Sequence, residues 1–126
     1  MKRVIAAVII LLIIILASTL AMWDMQHSLD LMSEKTAVLR SEVNETSPEE
    51  LADRCRGLIE EWDKLEKRFL LYVRHDHLDN IMEHLSELPA FCLEEEYAEL
   101  LSNLDASIKM MLHLRESITP DIQTLL

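Results

Sequence analysis

From Val4 to Met22 the chain carries no charge, no Gly and no Pro, and its centre reads VIAAVIILLIIILA. At a rise of 1.5 Å per residue, such a helix is about 28 Å long, close to the thickness of a bilayer's hydrocarbon core. A helix that is apolar on every side must be surrounded by lipid or by a large protein interior. The roughly 100 residues that remain are too few to enclose it. One membrane-spanning segment is therefore expected, and a small soluble fold built around this run is not.

The flanks orient the span. Lys2 and Arg3 precede it, and Asp24 directly follows it. The positive-inside bias then places the N-terminus in the cytoplasm and the chain from residue 24 onward outside the cell membrane. Trp23 suits the outer interface, where an indole buries its ring and keeps its N–H wet. The rival reading is a cleaved signal peptide, for which Thr19-Leu20-Ala21 is a passable site. The apolar stretch exceeds the 7–15 residues usual in such peptides, so retention as a signal-anchor is preferred. The expected division is a membrane anchor, 1–23, and one extracytoplasmic domain, 24–126.

Outside the anchor, ten basic residues face all 23 acidic ones, a formal charge of −13. A domain this acidic is expected to bind neither nucleic acid nor anionic lipid. One Gly and three Pro are too few for phosphate loops or hairpins. They suit long helices with short connections, and the expected class is all-α: a transmembrane helix continuing into a bundle of three to four helices.

The apolar periodicity fills in that outline. Met22, Met25, Leu29, Met32, Thr36, Leu39 and Val43 alternate spacings of 3 and 4, the seam of a coiled coil or bundle helix that continues the span. That seam is free to pair within the chain or with a second copy. Ser47-Pro48-Glu49-Glu50 is a helix start, with Ser47 as cap and Pro48 at the first helical position. Leu51, Cys55, Leu58, Trp62, Leu65, Phe69 and Tyr72 form the next stripe, with Trp62 as a packing anchor. The phase then slips, and Leu78, Ile81, Leu85 and Leu88 begin a new stripe. A turn near His75-Asp76-His77 accounts for the slip, with Asp76 capping a short helix that ends before Pro89. Pro89-Ala90-Phe91 reads as a linker. The last helix takes Leu93, Tyr97, Leu100, Leu104, Ile108, Met111 and Ile118, with Glu94, Glu95 and Glu96 in its first turn. Thr119-Pro120 ends it.

Two groups of residues have chemical potential. His75, His77, Asp79 and His84 lie close in sequence. His75 and Asp79 are one helical turn apart, and His77 and His84 two turns apart. Imidazole and carboxylate suit Zn²⁺ and similar ions, and the histidines also suit a pH-responsive cluster. The plainer account, capping and solvation at a turn, is preferred. Cys55 and Cys92 are the second group. An extracytoplasmic position permits a disulfide, whereas two buried thiols acting as small apolar groups account for the same residues. No catalytic Ser/His/Asp or Cys/His motif is present, and no cofactor is implied.

The basic start, the single N-terminal span, Trp62 in a long helix and the Tyr72-Val73-Arg74-His75-Asp76-His77-Leu78-Asp79-Asn80-Ile81 segment together resemble a family of small single-span helical proteins from spore-forming Gram-positive bacteria. That family has no assigned activity, so the resemblance implies a membrane-anchored protein and carries no catalytic residue onto this chain. The expected function is non-enzymatic: an interaction or scaffold module of the cell envelope, engaging a protein partner or a second copy through its helical stripes. The alternative is a metal- or small-ligand-binding, sensor-like domain that uses the His-rich turn.

Overall fold

The computed structural model describes residues 1–70 and 75–118, with the side chain of His75 outside that set. The stripe position Tyr72 and the expected stop at Thr119-Pro120 likewise lie outside the described residues. Helix α1 runs unbroken over Lys2–Ser41, a 3₁₀ turn covers Val43–Glu45, and three helices follow: α2 (Pro48–Phe69), α3 (His75–Leu93) and α4 (Tyr97–Ile118). The described residues are all-α. The long apolar N-terminal helix leads directly into a helical bundle.

The start of α2 follows from its sequence. Ser47 is extended, and its hydroxyl accepts a hydrogen bond from the Glu50 amide at 3.3 Å. Pro48 occupies the first turn, where its missing N–H costs nothing. The stripe then buries Leu51, Cys55, Leu58, Trp62, Leu65 and Phe69. In α1 the buried positions are Met25, Leu29, Met32, Ser33, Thr36 and Leu39. The Thr36 hydroxyl satisfies itself on the Met32 carbonyl at 2.7 Å, which lets a polar residue sit in the seam.

Antiparallel register is visible in the pairs that cross between helices. Asp24, Lys35 and Glu42 of α1 and its C-cap meet Arg68, Glu61 and Arg54 of α2. Asp30 and Arg40 meet Arg115 and Asp105 of α4. Asn103 of α4 donates to Glu87 of α3 at 2.9 Å. The chain thus runs up, down, up and down, with α1 packed mainly on α4, α2 on α3 and α3 on α4, and a thinner contact between α1 and α2. The α1 seam is consequently covered by helices of its own chain.

Three local expectations need correction. Asp76 lies inside the first turn of α3, which already begins at His75, so it is not the residue before the helix. Pro89 does not end α3 but sits within it. An interior proline costs about 3 kcal/mol through its lost N–H and ring clash. The stripe Leu78, Ile81, Leu85, Leu88, Cys92 is fully buried across that point, and this packing outweighs the local defect. Glu94–Glu96 are therefore not the first turn of the last helix but the reversal between α3 and α4. Glu95 adopts φ 56°. Its amide donates to the Cys92 carbonyl at 3.2 Å, and that of Glu96 donates to the Phe91 carbonyl at 3.0 Å. This bond pair is the Schellman closure of a helix C-terminus, with glutamate where glycine is usual.

Candidate functional site

Burial in α1 begins only around Met25. The apolar half below it is bare: Val4, Val8, Leu12 and Leu16 are all exposed. The 18-residue apolar window of α1 has no part buried in the bundle, and among the described residues α1 is the one helix long and apolar enough to cross a membrane. Trp23 is also exposed and stacks on His27, with ring centroids 5.2 Å apart. Trp23 and Asp24 thus fall where the helix passes from bare to packed, and Lys2 and Arg3 lie at the opposite end of its bare half.

The His-rich region is dispersed along α3. His77 lines a cleft of about 420 Å³ between α3 and α4 with Asn80 and Ile81 on its own helix. Met110, His113 and Ser117 form the opposite wall. His84 does not line that cleft. Its Nδ1 lies 3.0 Å from the Asn80 carbonyl, which can only accept, so Nδ1 is the donor of this contact. Asp79 is exposed on α3. Among the described residues, no three His, Cys, Asp or Glu side chains are grouped to hold a metal ion. The side chain of His75 falls outside those residues.

His113 is the cleft residue that sequence spacing passed over. Met110, His113 and Ser117 flank the buried Ser107, Met111 and Leu114 positions, on the edge of α4 that borders α3, and that placement shows only once α3 lies opposite. Two imidazoles from two helices, with a thioether and a hydroxyl nearby, can engage a small polar ligand. They supply only two of the three or four protein ligands that zinc sites use.

The cysteines do converge. Cys55, two turns into α2, and Cys92, in the last turn of α3, are both fully buried with their sulfurs 3.7 Å apart. Burial, reinforced by the neighbouring Cys92, pushes the Cys55 thiol far above its ordinary pKa, and burial raises that of Cys92 as well. A second, shallower groove of about 490 Å³ lies where α1 and α2 separate, lined by Leu31, Val38, Gly57 and Leu58 and spanned by the Lys35–Glu61 pair.

The family described as Domain of unknown function (DUF4363) matches residues 21–125. The chain belongs to this family. The match opens at Ala21, just before α1 enters the bundle, so this DUF4363 domain comprises all of the packed structure. No curated protein and no solved structure matches the chain.

Proposed function

We propose that this DUF4363 protein is a single-pass, non-enzymatic interaction module of the cell envelope, with its N-terminus in the cytoplasm and residues 24–126 outside. The observation that carries the reading is the continuity of α1. One helix is lipid-compatible over its first half and packed into the bundle over its second, with no hinge between. Such a helix holds the bundle at a fixed height and orientation on the membrane, which suits a protein that presents a surface. Lys2-Arg3 before the span and Asp24 after it support the orientation. The length of the apolar run supports retention as an anchor over cleavage. The resemblance to single-span proteins of spore-forming Gram-positive bacteria supports the same topology and suggests the source.

Leu31 and Val38 support contact with another protein. Both are exposed, seven residues apart on α1, beside the groove against α2. A reporter enzyme that is active only outside the cytoplasm, fused after Leu126, should be active. A photoreactive residue at Leu31 or Val38 should give a discrete crosslinked product in cells, and one at exposed Glu83 on α3 should not. A silent reporter overturns the topology, and adducts no stronger at Leu31 than at Glu83 overturn the interaction role. The second reading, a small-ligand sensor, is favoured by a specific observation: His77 and His113 face one cleft from two helices.

A further inference from the structure

Cys55 and Cys92 are the only two cysteines in the chain. They come from different helices, 37 residues apart in sequence, and meet inside the core at 3.7 Å. That separation is sulfur–sulfur contact. A disulfide requires about 2.05 Å, so the two sulfurs must close by roughly 1.7 Å to form one. Both side chains are fully enclosed. We propose that the mature protein carries an intrachain Cys55–Cys92 disulfide, installed by a disulfide-bearing thiol oxidant before α3 docks on α2. The inference rests on the extracytoplasmic placement proposed above, because such oxidants act outside the reducing cytoplasm.

Burial dictates the order of events. Only the thiolate attacks a disulfide, and in the docked pair burial holds both sulfurs in the thiol form, out of reach of any reagent. Exchange therefore belongs to the open chain. One cysteine, its proton lost to water, attacks the oxidant's disulfide and releases one oxidant sulfur as thiolate. The second cysteine thiolate then attacks the mixed disulfide and expels the other oxidant sulfur. One S–S bond is broken and one is formed. Two electrons pass to the oxidant, which leaves as a dithiol after taking up two protons. Docking of α3 then buries the product, so the bond acts as a permanent staple between α2 and α3 and not as a reversible switch.

Cells expressing the full chain are quenched in acid, denatured, and labelled with a polyethylene-glycol maleimide that retards migration once per free thiol. The expected result is a monomer with no retardation, and two steps after prior reduction. Cys55→Ser should show one step with or without reductant. Two steps without reductant, or a covalent dimer, overturn the disulfide. The reporter after Leu126 separates this failure from failure of the topology. An active reporter with free thiols overturns the disulfide alone, and a silent reporter with free thiols overturns both. A silent reporter with paired thiols overturns the envelope oxidant. The order of events is read on the purified full-length protein in detergent. Oxidised glutathione present during refolding should block both thiols from labelling. The same reagent added to the folded, reduced protein should leave both to be labelled once the protein is denatured. Equal oxidation in the two arms overturns the claim that pairing precedes docking.

Discussion

Trp62 is enclosed on every side, and its indole N–H donates to the Leu78 carbonyl at 3.3 Å. One residue thus fills the space between α2 and α3 and ties itself to the first turn of the facing helix. Replacing a buried aromatic by alanine costs about 3–5 kcal/mol through lost transfer energy and the cavity left behind. For a domain near 100 residues, each kcal/mol lowers the melting temperature by about 4–8 °C. Trp62→Ala should therefore depress the melt of the full-length protein by more than about 10 °C, as followed by far-UV circular dichroism. An unchanged melt would show that the indole carries no packing energy. Trp62 was legible in the sequence because its neighbours at spacings of 3 and 4 are apolar and every described member of that stripe is buried. His113 was not legible. A histidine at the edge of α4 breaks no pattern, and its significance depends on which helix lies opposite.

At the scale of elements, local rules worked where one signal acted alone and failed where two competed. Ser47-Pro48 began α2 as read, because nothing in the fold opposes a capped start. The local rule predicts a stop at Pro89, yet α3 continues to Leu93. Ending the helix at Pro89 would have removed Cys92 from the core, and that burial is not a local property. The reversal that follows carries its own cost. Glu95 holds φ 56°, and a side chain in the left-handed region costs roughly 1–2 kcal/mol that glycine does not pay. Glu95→Gly should raise stability by about 0.5–1 kcal/mol, after allowance for glycine's greater freedom in the unfolded chain. The melt should move up by a few degrees, about 2–8 °C. Glu95→Ala keeps the Cβ and so keeps the strain, and it should give no such gain. A rise of equal size with alanine would place the cost in the acidic side chain, next to Glu94 and Glu96, and not in the backbone.

The whole molecule combines a bare apolar helix with a strongly acidic remainder, formal charge −13 from residue 24 onward, and this charge shapes any test for a metal ligand. Any divalent cation is drawn weakly to such a surface, so a small general effect of zinc is not evidence of a site. The α3–α4 cleft offers His77 and His113, two imidazoles where zinc sites use three or four protein ligands. Stoichiometric zinc should accordingly shift the melt of the full-length protein no more than magnesium does. A real site would look different. Binding at 100 times the Kd adds about 2.7 kcal/mol, which for a domain of this size is on the order of 10 °C or more. Imidazole must be deprotonated to act as a ligand, so the effect would fade as pH falls below about 6.5. Its loss in a His77→Ala, His113→Ala double variant would locate it in the cleft. Its loss only when His75 and His84 are replaced would locate it elsewhere on α3. A zinc-specific, pH-dependent upshift with either pattern would reverse the preference between the two functional readings. The His-bearing face would become the working surface, and the helices around it its frame.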